Sequence, residues 1–383
     1  MKKDIQILHF CIDEKHNTNV VNRFEEVGVC TNRFVVCGTK PLKFDNPKGL
    51  IEVRDLKECV ELLPRYEYVV FHCASLINLE IASHLTKSNI ASLIVWGPSN
   101  FELNRLGKWV YEPLTWKIVS STRTLKHYLY QLYSVLPKNL RYGFYKAKTG
   151  EQHPNYIYEK AYAHFQYIAT ILPEEFDLML KSEKYISASP IAFSYGNTKS
   201  IMGELYKGKF TLGKNIMVGH SGFLYNNQID ALHLIKQRGF KEKVIVPLSY
   251  ATDEQNSVYK VAKRLFADQL ITPAYMPKNQ YIELLTSCNS MVFYNTIQQG
   301  MANLHAGLYM GMKIFLNENG ILYKNSLKEG FKVFSLQGDF EPSFAIDPLS
   351  PNDKAANRET LEKIRGEEVI KKKTLSFINT IIA

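Results

Sequence analysis

Short apolar runs alternate with helical patterns along the chain, and this alternation restricts the fold more than any other feature. In the first third, four runs have the length and composition of strands, and each is followed by a polar turn. These runs are Ile5–Ile12, Phe34–Cys37, Tyr68–His72 and Ser92–Trp96, and the clearest helix among them is Leu76–Leu85. Strands that alternate with helices predict a parallel sheet built from βαβ units.

A second series of the same kind follows a stretch rich in glycine and lysine, Lys207–Lys214. It contains strands at Ile216–Val218, Val244–Val246, Met291–Asn295 and Lys313–Leu316, and a helix over about Gln228–Arg238 that ends at Gly239. At ~150 residues per domain, 383 residues allow two or three domains. We therefore predict the α/β class, with two Rossmann-like domains facing each other across a cleft. The expected bounds are 1–207 and 208–350, and a C-terminal helix in 351–383 is expected to cross back to the first domain.

Composition excludes several other classes. With 45% hydrophobic and 22% charged residues, the chain is not disordered, collagen-like or a coiled coil. The six cysteines include no CxxC pair and mostly lie in apolar runs, which predicts free thiols in a reducing compartment. The first apolar run is too short and too polar for a signal peptide, and no run approaches the ~18 apolar residues of a spanning helix. We expect a cytoplasmic protein whose membrane contacts are peripheral.

Positive charge is concentrated in one segment. The chain carries 47 Lys and Arg against 37 Asp and Glu, a net charge of +10. Residues 105–150 hold a large share of the excess, since Glu112 is the single acidic residue among many basic and aromatic ones. A basic, aromatic surface suits an anionic membrane, a single-stranded nucleic acid or a phosphorylated substrate, and net charge does not choose among them.

Two strand-to-helix turns in the second half contain residues suited to a phosphorylated ligand. In the first, Gly219, Ser221 and Gly222 allow backbone N–H groups to approach a phosphate, and Asn226 precedes the helix. In the second, Gln298 and Gln299 offer amide groups to sugar hydroxyls, and Gly300 begins a helix. Each turn alone is also compatible with an ordinary structural turn, because neither matches a complete phosphate-binding motif.

A polar loop after the first strand contains groups that can accept a proton. Asp13 and His16 lie there beside Asn17, and His72 and Trp96 end the next strands at the same edge of the predicted sheet. A solvated loop is the simpler interpretation of this composition. There is no Asp-x-Asp, HExxH or GxSxG sequence and no Cys/His ligand spacing, so we expect neither a metal ion nor a common hydrolase nucleophile.

These motifs resemble the glycosyltransferases typified by the 4-acetamido-4,6-dideoxygalactose (Fuc4NAc) transferase of enterobacterial common antigen synthesis. The similarity covers roughly 5–100 and 210–335. It is strongest in the Gly-x-Ser-Gly turn at Gly219, in the segment Val244–Tyr250 and in Gln298-Gln299-Gly300. In the first half, His9, His16-Asn17, Arg23-Phe24, Phe71-His72 and Trp96-Gly97 occur where the family has similar residues. The family has an acidic residue after Trp-Gly, whereas Pro98 and Ser99 follow here, so the acceptor is expected to differ.

The resemblance implies a metal-independent GT-B glycosyltransferase without a cofactor, since the nucleotide-sugar is a substrate. The donor is expected to be a dTDP- or UDP-linked amino- or deoxy-sugar, and the acceptor an undecaprenyl-diphosphate-linked saccharide at the inner face of the cell membrane. Alternatives are a GT-B enzyme with a soluble acceptor and, far less favoured, a nucleic-acid-binding protein, for which no RNP, KH or helix-turn-helix pattern exists.

The hypothesis assigns a role to each candidate residue. Asp13 or His16 is expected to be the catalytic base, and Asn17, His72 and Trp96 to lie on the acceptor side. Residues 105–150 are expected to contact an anionic membrane. The residues expected to bind the donor are Gly219, Ser221, Gly222, Asn226, Pro247, Ser249, Tyr250, Met276, Gln298, Gln299 and Gly300.

Overall fold

The computed structural model describes residues 5–14, 17–38, 42, 50–95, 107–121, 136–182, 185–249 and 254–383. They form two compact units. The first contains the described residues of 5–95, 136–195 and 370–383, and the second those of 107–121 and 196–369. No helix in these ranges is long and apolar enough to cross a membrane.

The first unit is built on a seven-stranded, wholly parallel sheet with the strand order β3-β2-β1-β4-β5-β6-β7. The strands are β1 Gln6–Cys11, β2 Thr31–Cys37, β3 Ile51–Arg54, β4 Tyr68–His72, β5 Ile90–Ile94, β6 Phe165–Ala169 and β7 Ser189–Pro190. Helices flank them at α1 Asn17–Glu25, α2 Leu56–Leu62, α3 Leu76–Ala82, α5 Lys138–Thr149, α6 Pro154–Tyr162 and α7 Pro173–Ser182. Apolar side chains cover both faces of the sheet, as parallel strands require.

The second unit contains a six-stranded parallel sheet with the order β10-β9-β8-β11-β12-β13. Its strands are β8 Asn215–Val218, β9 Val244–Ile245, β10 Leu270–Ile271, β11 Cys288–Phe293, β12 Lys313–Leu316 and β13 Phe334–Ser335. Its helices are α4 Pro113–Ser121, α8 Thr198–Met202, α9 Gln228–Gln237, α10 Glu254–Phe266, α11 Lys278–Thr286, α12 Met301–Met310, α13 Ile321–Lys328, α14 Pro342–Ile346 and α15 Pro351–Arg365. The reversal of strand order beside β8 puts the β8 and β11 turns next to each other at the carboxyl edge, where such sheets bind ligands.

The chain divides differently from the expected 1–207 and 208–350. The boundary falls between Tyr195 and Gly196, ahead of the glycine- and lysine-rich stretch. The reason is contact with α12, because the backbone N–H of Lys207 donates to the Tyr309 hydroxyl at 2.8 Å and the Tyr206 and Tyr309 rings stack. Residues 107–121 also lie in the second unit, although the sequence suggested the first.

The expected C-terminal helix is two helices. The first, α15, begins after Ser350, whose side chain accepts from the backbone N–H of Asp353, and the second, α16, is Glu367–Ile381. Gly366 separates them in an extended conformation. Residues 370–383 pack in the first unit, where Phe377 and Ile378 are fully buried beside β1 and β4 residues.

Candidate active site

The turn after β8 is closed so tightly that only glycine fits at its first position. Gly219 has a φ of +72°, and a Cβ there would lie 2.2 Å from Nε2 of Gln228. That amide is in place because it donates to the Val218 carbonyl at 2.9 Å, while the backbone N–H of Gly219 donates to the Val292 carbonyl of β11. The close approach holds the backbone of the turn against the start of α9.

Ser221 and Asn226 fasten the rest of this turn. The Asn226 amide is buried and donates to both the carbonyl and Oγ of Ser221, at 3.0 and 2.8 Å. Because a carbonyl can only accept, the nitrogen of the amide must face Ser221, which fixes the orientation of the side chain. The amide oxygen, Oδ1, is buried and has no hydrogen-bond partner within the described residues. Gly222 lies between the two residues in sequence. The backbone of the turn is thereby held in one shape before α9 begins.

The second turn follows β11 and is in contact with the first. Gln298 and Gln299 are both buried, at 3% and 8% exposure. Gly300, the residue before α12, has a φ of +69°, and a Cβ there would lie 2.9 Å from Nδ1 of His220. Two glycine-containing turns therefore meet at the carboxyl edge of β8 and β11, with the N-terminal end of a ten-residue helix beside them.

The segments expected to contact a nucleoside lie at the same sheet edge. Pro247 is buried and Ser249 half-buried in the loop after β9, and Met276 is half-buried in the loop after β10. Because β10 and β9 pair in parallel and β9 pairs with β8, these loops follow the Gly219 turn in order along the edge. Tyr250 lies outside the described residues.

Residues 107–121 lie against both turns of the second unit. Asn227 accepts a hydrogen bond from the backbone N–H of Glu112 at 2.9 Å, and Asp230 accepts from the backbone N–H groups of Leu114 and Thr115, both at 2.8 Å. These bonds, made by residues of α9 and the position before it, explain why the segment belongs to this unit. Sequence reasoning did not find them, although an acidic residue in the first turn of a helix is a weak signal.

In the first unit, the candidate catalytic residues occupy the loop after β1. Asp13 is half-buried two residues past the end of the strand, and Asn17 is fully buried, with its Nδ2 donating to the Ile12 carbonyl at 2.9 Å. His16 and Trp96 lie outside the described residues. Asn17 therefore ties the start of α1 to the end of β1 and shapes the loop that contains Asp13.

His72 forms part of a buried chain of hydrogen bonds. His72 Nε2 is 3.0 Å from Nδ1 of His9, and its Nδ1 is 2.5 Å from the Tyr195 hydroxyl. His9 Nε2 is 3.0 Å from Oδ1 of Asn32, whose Nδ2 donates to Glu25. The orientation of Asn32 fixes one direction: Tyr195 donates to His72, His72 to His9, and His9 to Asn32. Both ring nitrogens of His72 are thus engaged inside the unit.

Burial makes both imidazoles weak bases. It lowers the pKa of His9 to about 3, although the hydrogen bond to Asn32 raises it somewhat. Burial also holds the pKa of His72 well below its usual range, and the neighbouring His9 contributes in the same direction. The Tyr195 hydroxyl has a pKa well above its usual range because it too is buried. All three groups are neutral at pH 7, as the directed chain requires.

Similar solved structures identify the architecture. Sucrose-phosphate synthase from Thermosynechococcus elongatus aligns over 99% of both chains with a TM-score of 0.58 at 10% identity. HepE from Anabaena, in complex with UDP and glucose, aligns over 98% of this chain and all of its own, with a TM-score of 0.58 at 7% identity. A glycosyltransferase from Rickettsia africae aligns over 99% of both chains, with a TM-score of 0.56 at 9% identity. No curated protein sequence matches significantly.

A family model decides the activity. Residues 198–347 match the 4-alpha-L-fucosyltransferase glycosyl transferase group 56. The chain is a GT-B glycosyltransferase. The match confirms the resemblance drawn from the motifs, and it contains both turns of the transferase's second unit. It does not contain residues 107–121, which pack against those turns.

No group of three or more His, Cys, Asp or Glu side chains in the described part of the transferase is arranged to hold a metal ion. The two turns do offer neutral hydrogen-bond donors that could stabilise a leaving group. The backbone N–H groups of the Gly219 turn and of the first turn of α12 are such donors, and the carboxamides of Gln298 and Gln299 are others.

Proposed function

We propose that this transferase moves an amino- or deoxy-sugar from a dTDP- or UDP-linked donor to an undecaprenyl-diphosphate-linked saccharide. The contact between the Gly219 and Gly300 turns carries the proposal, because it brings two glycine backbones and a helix start together within the span that matches the family. The family description names a deoxy-sugar, and UDP is present in the HepE complex. Both facts support a nucleoside diphosphate-linked donor here.

The donor roles follow from the chemistry of each group. Backbone N–H groups of Ser221 and Gly222, with the N-terminal end of α12 after Gly300, bind the diphosphate. Gly219, whose own N–H donates to the Val292 carbonyl, contributes the close backbone turn that holds these groups in place. Gln298 and Gln299 bind hydroxyls of the sugar, while the nucleoside lies on the loops that contain Pro247 to Tyr250 and Met276. Asn226 keeps the first turn in shape through its two bonds to Ser221.

In the reaction, the acceptor hydroxyl oxygen forms a bond to the anomeric carbon, and the bond from that carbon to the diphosphate oxygen breaks. The departing nucleoside diphosphate takes the electron pair of the broken bond. Asp13 or His16 takes the hydroxyl proton if the reaction inverts the anomeric configuration. The donors around the diphosphate stabilise the charge that develops on the leaving oxygen, so the step needs no metal ion.

Helix α5 supports a lipid-linked acceptor and a position on the inner face of the cell membrane. Its outer side exposes Leu140 at 52% and Phe144 at 62%, beside the exposed Lys146 and Lys148. Its inner side is anchored, since Tyr142 contacts the His153 ring at 4.9 Å. An apolar stripe with flanking cations suits an anionic interface, where each Lys or Arg adds attraction of about 1 kcal/mol.

The first test is a thermal-shift panel of dTDP, UDP, GDP and NAD with the whole protein. We expect dTDP or UDP to raise the melting temperature selectively, because a ligand that binds only the folded state stabilises it. Stabilisation by none of the nucleoside diphosphates, or by NAD alone, would contradict the donor assignment.

The second test concerns the membrane. Wild-type protein should sediment with vesicles of anionic lipid and not with neutral ones. Changing both Leu140 and Phe144 to Ser should weaken sedimentation strongly, and changing both Lys146 and Lys148 to Gln should weaken it while making it less sensitive to salt. Leu327→Ser is the matched control, because Leu327 is 49% exposed on α13 of the other unit. Equal sedimentation of all variants would contradict the role of α5 in membrane contact. Failure of the wild type to sediment with either kind of vesicle would favour a soluble acceptor.

A further inference from the structure

Residues 107–121, here called the brace, form hydrogen bonds with both candidate donor turns. The partners are Asn227 at the end of the first turn and Thr296 at the start of the second. Asn227, the residue directly after Asn226, is fully buried and uses both ends of its side chain on the brace. Its Oδ1 accepts from the backbone N–H of Glu112, and its Nδ2 donates to the carbonyl of Val110, both at 2.9 Å. Both polar ends of the Asn227 side chain are therefore bonded to the brace.

Asp230 holds the helix of the brace from the same side. Its carboxylate accepts the backbone N–H groups of Leu114 and Thr115 and the Thr115 hydroxyl, the last at 2.6 Å. These donors belong to the first turn of α4, so Asp230 acts as an N-terminal cap supplied by another helix. Hydrogen bonds to a charged acceptor are stronger than those between neutral groups, and both Asp230 and Thr115 are buried.

The second turn is fastened to the same point of the brace. Thr296, two residues before Gln298, donates its hydroxyl to the Val110 carbonyl at 3.2 Å. That carbonyl also accepts from Asn227, so one backbone oxygen connects the two turns. Beyond it, Asn317 at the end of β12 donates to the Glu112 carboxylate at 2.7 Å.

We propose that the brace sets the relative position of the two turns for the nucleoside diphosphate, with Asn227 and Thr296 as positioning residues that do not touch the ligand. This rests on the proposed function of the turns. Donors around a diphosphate act only when their positions are fixed before binding. Each turn is a loop between a strand and a helix. Because both turns donate a hydrogen bond to the Val110 carbonyl, one turn cannot move without affecting the other.

The decisive variant is Asn227→Gly. Asn227 has a φ of +54°, which glycine adopts without strain, so the change removes both hydrogen bonds and leaves the backbone conformation available. We expect the dissociation constant for UDP or dTDP, whichever stabilises the wild type, to rise about tenfold, since two bonds of typical net strength are lost from the preformed site. Thr296→Val should raise it less, and Thr296→Ser, which retains the hydroxyl, should restore wild-type binding.

Hydrogen exchange reports the brace without any ligand. In wild-type protein the amides of Glu112, Leu114 and Thr115 should be protected, and in Asn227→Gly that of Glu112 should exchange faster. Asp55→Ala is the control for stability alone, because Asp55 caps α2 in the first unit; it should lower the melting temperature and leave nucleotide affinity unchanged.

The outcomes separate the two ideas. Faster exchange with unchanged nucleotide affinity overturns the positioning role, as does unchanged exchange in Asn227→Gly, because Asn227 then does not hold the brace. An equal loss of affinity in Asp55→Ala overturns it as well. Failure of wild-type protein to bind any nucleoside diphosphate, with the brace amides protected, overturns the proposed function of the turns instead.

Discussion

The carboxyl edges of the two sheets are built from different chemistry. In the first unit, His72 at the end of β4 is fully buried and bonded to His9 and Tyr195. In the second, the corresponding positions are held by neutral amides and by the backbone of Gly219 and Gly300. Titratable side chains therefore stabilise one edge, and close backbone approach shapes the other. An edge made of backbone can offer N–H groups to a ligand, whereas the ring nitrogens of His9 and His72 are already engaged inside the first unit.

The largest effect should come from filling the close approach in the second unit. Gly219→Ala should cost about 2–5 kcal/mol of unfolding free energy, from left-handed strain of about 1–2 kcal/mol and overpacking of about 1–3 kcal/mol. Gly239→Ala is the control, since Gly239 has a φ of +79° with nothing within 4 Å of its Cβ site, so it carries the strain alone. Equal losses in denaturant unfolding would show that the approach to Gln228 is unimportant.

Acid should destabilise the first unit through its buried imidazoles. The folded-state pKa of His9 is about 3, below its ordinary 6.5, so the unfolded chain binds a proton that the folded chain does not, and stability falls as pH drops below 6.5. Glu175 opposes this, because burial raises its pKa to about 7, and its contribution grows as pH falls from 7 to 4.5. In Glu175→Gln, at a limiting slope of about 1.4 kcal/mol per pH unit, His9 should remove about 2 kcal/mol between pH 6.5 and 4.5, and the buried His72 adds to the loss in the same direction. A flat urea-unfolding profile would contradict the buried neutral pair.

A smaller loss is expected from breaking one end of the imidazole chain. Tyr195→Phe leaves Nδ1 of His72 buried without a donor, which should cost about 1–3 kcal/mol. Tyr206→Phe removes a hydroxyl bonded to the side chain of Glu362 near the surface and should cost less. Melting temperatures of the two variants measure the difference, and nucleotide affinity should be unchanged in Tyr195→Phe.

The smallest effect on stability should come from Gln299→Ala. We expect the unfolding free energy to change by less than about 1 kcal/mol, while the transfer rate falls far more, because the amide serves the donor sugar. Parallel measurement of melting temperature and transfer rate checks this. Equal losses in both would make Gln299 a structural residue of the second edge, like Asn226.

Periodicity predicted the strands that are strongly apolar and buried. Tyr68–His72 and Lys313–Leu316 agree with the structure to the residue, and the turns after β8 and β11 were located from glycine and amide patterns. The edge strand Ile51–Arg54 was not predicted, because half-buried residues leave little apolar pattern. The location of residues 107–121 depends on bonds from Asn227 and Asp230, more than a hundred positions away, and local pattern carries no trace of such bonds.

The brace limits how the transferase can be divided into independently folding parts. A fragment starting at Gly196 would contain all six strands of the second sheet and the whole family match, yet it would lack the donors that satisfy Asp230. It would also expose to water the apolar core surface on which Tyr111, Ile118 and Val119 pack, and this exposure destabilises what remains. The second unit is complete only with a piece of chain encoded far upstream, so no single cut in the gene separates a self-sufficient donor half.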